Sequence, residues 1–135
     1  MLMEKLWGEI GQGLNILLGV KKGDTSVDIK KLADKILNLR IFKDENDKMN
    51  LSLFDIEGEA LIISQFTLAG NVKKGRRPSF EQSEKPDVAH AYYQEFIEYV
   101  KGMGIKVQTG VFGAMMDVEI HNDGPVTFIL DSKEL

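Results

Sequence analysis

Two rhythms of apolar and polar positions run along this chain, and the places where one gives way to the other divide it into elements. Asn15 to Val20 is a short apolar run bounded by Gly13 and Gly19, which predicts a buried strand ending in the turn Lys22-Gly23-Asp24. Thr25 followed three residues later by Asp28 resembles a capping box. Val27, Leu32, Ile36, Leu37 and Leu39 then recur at helical spacing, so a first helix is expected to about Arg40. After the turn Asp44 to Asp47, Met49, Leu51 and Leu53 alternate with polar residues as a half-buried strand does. Ala60 to Leu68 is apolar on both faces at its start, which predicts a central strand.

Pro86 suits a first helical turn, and Ala89, Tyr92, Tyr93, Phe96 and Val100 share one helical face up to Gly102, giving a second helix. The remainder reads as strand. Lys106 to Gln108 comes first; Met116, Val118 and Ile120 then alternate with Asp117, Glu119 and His121; Val126 to Leu130 closes the series. Strand-rich ends around two helices predict an α/β arrangement in which both helices cover one face of a curved sheet.

Composition narrows the function without naming it. At 135 residues the chain reads as one domain, large enough for a real core and small enough that a binding cleft can be shared with a second subunit. No apolar run approaches the roughly 20 residues of a bilayer span, and the N-terminus has no signal-peptide pattern, so a cytoplasmic location is the expectation. Without cysteine there is no disulfide framework, no thiolate nucleophile and no cysteine-based metal site. A net charge of −4 argues against indiscriminate nucleic-acid binding. A local basic patch nevertheless stands at Lys73, Lys74, Arg76 and Arg77, spaced by Gly75 and closed by Pro78.

The candidate chemistry is sparse. SQFTLAG, Ser64 to Gly70, lies at the C-terminal end of the expected central strand, where open α/β sheets present side chains and backbone N–H groups to ligands. Ser, Gln and Thr there also suit the plainer task of satisfying local backbone groups. A serine nucleophile needs a positioned base, and the chain offers only His90, on the polar side of the second helix, and His121, opposite the apolar face of its strand. Both fit a solvated surface. Two histidines on separate elements and acidic residues without calcium-loop spacing leave no metal site, and no cofactor is expected. The glycines of GQG (Gly11 to Gly13) and GVFGA (Gly110 to Ala114) lack nucleotide-binding spacing and read as tight turns or close backbone approaches. The basic loop fits either a solvated surface or phosphate contact. One oddity remains in HNDGPVTFIL, where Gly124-Pro125 breaks a turn that Asn122-Asp123 would make unaided.

SQFTLAG and NDGPVT together strongly resemble the signature pair of the D-aminoacyl-tRNA deacylases. KILNLRIF (Lys35 to Phe42), KMNLS (Lys48 to Ser52), GRRPSF (Gly75 to Phe80) and QTGVFGA (Gln108 to Ala114) add to the likeness, which runs from about Gly8 to Leu130. The resemblance implies a three-layer α/β/β fold with barrel-like curvature, and a homodimer that hydrolyses the ester between a D-amino acid, or glycine, and the terminal ribose of tRNA. It implies that Gly124 and Pro125, joined by a cis bond, read chirality across the subunit interface, while Ser64, Gln65, Phe66 and Thr67 line the pocket for the terminal adenosine and the ester. Phe112 and Met116 would close that pocket.

An activated ester needs little acid–base help, so a positioned water and backbone N–H donors, Phe66 first among them, suffice in this reading; Thr67 as nucleophile ranks below it. Family members usually begin with a further strand and a half, a basic MRxVVQRV-like run, which residues 1–135 do not show; either the start is assigned too late, or a first strand is absent and an exposed sheet edge needs another cover. Gly70-Asn71 also replaces the family's usual Asp-Thr-like pair. Two alternatives stay open: a tRNA-end-binding protein of the same fold without turnover, and a generic Ser-dependent esterase.

Overall fold

The computed structural model describes residues 8–122 and 126–135. Strand β1 (Gly13–Leu18) pairs in parallel with β4 (Glu59–Ser64), which pairs in parallel with β5 (Lys106–Thr109), so β4 is central as its two-sided apolar pattern predicts. A separate antiparallel pair joins β2 (Phe42–Lys43) to β3 (Met49–Leu51). Because parallel strands end on the same side, Leu18, Ser64 and the residues after Thr109 gather at one edge.

The helices fall where the periodicity puts them. Helix α1 (Ser26–Asn38) starts from the Thr25–Asp28 capping box, with the Thr25 N–H donating to Asp28 Oδ2 at 2.8 Å. Helix α2 (Pro86–Gly102) opens with Pro86, whose missing N–H costs nothing in a first turn. Ile29, Ala33 and Leu37 of α1 and Tyr93, Phe96, Ile97 and Val100 of α2 meet Ile16, Leu18, Ala60 and Ile62, which share one face of the sheet through the pairs Ile16↔Ile62 and Leu14↔Ala60. Both helices therefore cover that face.

The two expected strands near the C-terminus are a correction. Residues 115–122 and 126–130 form no strand and pair with none among the described residues, and the described strands close no barrel. Alternation reports which side chains share a face; a strand also needs a neighbour to take its N–H and C=O groups, and among the described residues none lies alongside. Met115, Ile120, Phe128 and Ile129 remain exposed as a result.

The chain end is fixed electrostatically. Lys133 Nζ reaches both Asp28 oxygens at 3.0 and 3.1 Å, in the short 3₁₀ helix Ser132–Glu134. The Thr25 N–H and then Lys133 hold the Asp28 carboxyl down at about 2. A carboxylate whose pKa is lower folded than unfolded stabilises the fold above its ordinary range near 3.8 and loses that contribution as pH falls through about 2. Urea titrations of wild type and Asp28→Asn are therefore expected to show a stability gap that is widest above pH 4 and closes toward pH 2. A gap independent of pH would refute this role for the charge.

Candidate functional site

The expected strand from Ala60 to Leu68 stops at Ser64, and the chain turns into a 3₁₀ helix, Phe66–Ala69. Gln65 makes the transition. Its N–H donates to Leu18 O at 2.8 Å, extending the β1–β4 ladder by one bond, and its carbonyl then accepts from the Leu68 N–H at 3.3 Å. Gly19 gives the turn room, since a Cβ there would lie 3.0 Å from both Gln65 O and Leu68 Cβ. Further from the turn, Ala69 is buried and anchors it to the body of the protein, while Phe66 and Thr67 stand exposed.

This geometry leaves backbone donors without a partner among the described residues. The first N–H groups of a helix have no partner within it, and those of Phe66 and Thr67 make no hydrogen bond among the described residues. Beside them Gln65 Nε2 donates to Thr67 Oγ1, so the two polar side chains of the motif hold one another. Ser64, half-buried at the strand end, completes a stretch of four residues that combines hydroxyls, an amide and unengaged backbone donors. Neither His90 nor His121 makes a hydrogen bond to Ser64 or Thr67, which leaves a serine triad without its base.

The basic loop is part of the same neighbourhood. Asn71 and Ser79 exchange backbone hydrogen bonds at 2.7 and 2.8 Å, closing a loop in which Lys73, Lys74, Arg76 and Arg77 are all exposed. Gly75 takes φ +66°, a left-handed turn that any other residue would strain. Phe80, just past the loop, meets Phe66 edge to face with centroids 5.2 Å apart. Four cations are thus carried beside the polar turn by an aromatic contact.

Phe112 and Met116 follow β5 at the same edge of the sheet. The turn there is closed by the Ala114 N–H donating to Val111 O at 3.1 Å, with Gly113 at φ +75°. Met116 folds back over Gly110, where a Cβ would come within 2.6 Å of its sulfur. Phe112 is half-buried between two residues of α2: His90, stacked at 4.5 Å and 12°, and Tyr93, tilted at 5.8 Å and 39°. Tyr93 is fixed in turn. Its hydroxyl donates to Ile62 O at 2.7 Å, and burial pushes the phenol above its usual pKa, so it keeps the proton it donates.

Gly124 and Pro125 lie outside the described residues. Their flanks approach, with Asn122 Nδ2 donating to Thr127 Oγ1 at 3.3 Å. The structure therefore gathers Ser64 to Thr67, the basic loop and Phe112 at one edge of the sheet. It adds two residues that the periodicity did not single out, His90 as a stacking partner and Phe80 as the anchor of the basic loop. The aromatic in GRRPSF was the only available signal for Phe80. His90 had none, because Phe112 lies far along the chain.

Known proteins share this chain across nearly its whole length. The family model described as D-Tyr-tRNA(Tyr) deacylase matches residues 2–131. The D-aminoacyl-tRNA deacylase of Persephonella marina (strain DSM 14350 / EX-H1) is 66% identical, and that of Aquifex aeolicus (strain VF5) 60% identical, each over 97% of this chain and 88% of the relative. Among solved structures, the c-Myc DNA Unwinding Element Binding Protein superposes with TM-score 0.84 at 40% identity, covering 90% of this chain and 83% of that one. A protein described as a probable eukaryotic D-amino acid tRNA deacylase superposes with TM-score 0.67 at 22% identity, over 78% and 77% of the two chains, a likeness of fold alone.

Proposed function

This chain belongs to the D-Tyr-tRNA(Tyr) deacylase family, and on that premise we propose that the polar end of β4 is where it hydrolyses the ester bond of D-aminoacyl-tRNA, releasing free tRNA and D-amino acid. The observation that carries this reading is the pair of unengaged N–H groups at Phe66 and Thr67, beside the Gln65–Thr67 hydrogen bond. Water attacks the ester carbonyl, negative charge develops on its oxygen, and those N–H groups donate to it. The carbon–oxygen bond to the ribose then breaks, and the ribose oxygen takes up the proton that the water gives away. An aminoacyl ester is labile enough that positioning and charge stabilisation replace a dedicated base, consistent with two histidines that reach neither hydroxyl.

Gly124 and Pro125 carry the chirality reading in this proposal. It is supported by the match of Asn122 to Thr127 with the family's NDGPVT motif. Selection by backbone excludes the L side chain sterically and leaves side-chain identity unread, so many D-amino acids pass, and glycine with them. The motif acts across a homodimer, each subunit's loop entering its partner's pocket, with curved layers that the second subunit helps complete. A substrate of aminoacylated tRNA supports a cytoplasmic site of action; among the described residues no helix is long and apolar enough to cross a membrane.

The test is enantiomer preference. Purified protein is expected to deacylate D-Tyr-tRNA at least about 100-fold faster than L-Tyr-tRNA, the order expected when the wrong substrate leaves a buried donor unmet and a side chain without room. Equal rates would remove the chirality role. Tight tRNA binding without turnover on either substrate would instead favour a binding protein of the same fold, a reading kept open by the likeness to a DNA-element-binding protein.

The basic loop makes a separate prediction. If Lys73, Lys74, Arg76 and Arg77 meet tRNA phosphates, replacing all four with Gln weakens binding and flattens the plot of log K against log salt by about three units, taking a slope of roughly 0.7–0.9 per contact. An unchanged slope returns the loop to solvent.

A further inference from the structure

We propose that His90 is a positioning residue for Phe112, holding from the solvent side the aromatic ring that closes the substrate pocket. The proposal rests on the deacylase reading above for what the ring does, and on the geometry for what His90 does.

The turn that carries Phe112 has little to fix it. It lies between Gly110 and Gly113, and among the described residues a single backbone hydrogen bond, Ala114 N–H to Val111 O at 3.1 Å, closes it. Side chains must therefore set where Phe112 points. Tyr93 supplies one wall, 2% exposed and tied to β4 through Ile62 O two residues before Ser64. A tilted neighbour at 5.8 Å and 39° limits how deep the ring goes but leaves it free to swing outward. His90 blocks that swing. Its imidazole lies nearly parallel to the Phe112 ring at 4.5 Å and 12°, the separation and orientation of a stacked pair.

His90 is itself held in place. One turn further along α2, Gln94 Nε2 lies 3.2 Å from His90 Nε2, so a ring nitrogen engaged by the amide fixes the plane of the imidazole. The arrangement runs from the sheet to solvent as β4, Tyr93, Phe112, His90 and Gln94. Because His90 is exposed on a long helix, truncating it removes the stack without opening the core.

Two measurements on the full-length protein decide the matter. His90→Ala is expected to raise KM for D-Tyr-tRNA about three- to tenfold, the span of a lost aromatic pair. The loss falls in KM rather than kcat, since the ring closes the pocket over the bound substrate and touches no reacting atom. His90→Phe, which keeps a flat ring, restores KM; His90→Ala with unchanged KM, or no rescue by Phe, overturns the proposal.

The second measurement needs no activity. His90 and His121 are the only histidines, so His90 imidazole signals are readily assigned in a proton–carbon NMR spectrum. Phe112→Leu is expected to move them by removing the ring current, and unmoved signals refute the contact. Signals that move in a protein that spares D-Tyr-tRNA would sustain the contact and sink the deacylase reading instead.

Discussion

Phe66→Pro is expected to lower kcat on D-Tyr-tRNA by about 10²–10³-fold, while Phe66→Ala costs far less. Proline removes one donor, the N–H proposed to meet the developing oxyanion, and a lost oxyanion donor is worth about that factor in other hydrolases. The fold tolerates the change because Phe66 is the first residue of the 3₁₀ helix, where an N–H has no helical partner to lose. Gln65 before it already has an extended φ of −139° and ψ of 86°, near the region that a following proline favours. Both variants lose the Phe66 ring and its contact with Phe80, so the alanine variant isolates what the ring contributes. Single-turnover rates at saturating enzyme, with circular dichroism to confirm folding, give the comparison. Variants within fivefold of one another would mean that the Phe66 N–H is not the donor.

Gly13→Ala is expected to be the most damaging single methyl in the described structure, while Gly11→Ala two residues earlier is nearly neutral. A Cβ at Gly13 would sit 1.8 Å from Glu59 O and 2.7 Å from its carbonyl carbon, inside the first register pair of β1 and β4. Those are backbone atoms that cannot rotate away, so the two strands must part where their pairing begins. The cost is about 3–5 kcal/mol, which for a chain of this size lowers Tm by roughly 10 °C or more. Nothing lies within 4 Å of the corresponding position at Gly11, which makes it the matched control. Thermal melts of the two variants read the difference directly. A Gly13→Ala protein melting within 3 °C of wild type would show that the β1–β4 pairing is looser than its register suggests.

Gly13 also shows how far a sequence can be read. GQG was legible as a close backbone approach because it lacked the spacing of a nucleotide loop, but which strand approached was not. The first helix was legible to its cap, since the Thr25–Asp28 box is a contact between residues three apart. The polar end of β4 was legible as the end of a central strand, though not as a 3₁₀ turn: Phe66 to Ala69 reads as strand by apolar pattern, and only the close approach of Gln65 and Leu68 to Gly19 accompanies the bend. Met116 to His121 misled for the converse reason, a perfect alternation with no neighbour to pair with among the described residues.

The sequence by itself determined what depends on near neighbours along the chain. That covers both helices, the capping box of the first, the central strand, the basic loop and, through two short motifs, membership of a deacylase family. Tertiary structure alone decided what depends on residues far apart. It set the parallel order that brings the ends of β1, β4 and β5 to one edge, placed Phe80 against Phe66 and so the four cations beside the turn, and stacked His90 on Phe112. Local pattern fixes which face of an element is apolar. Only the packed chain fixes which distant face it meets, because burial rewards any apolar partner and geometry chooses among them.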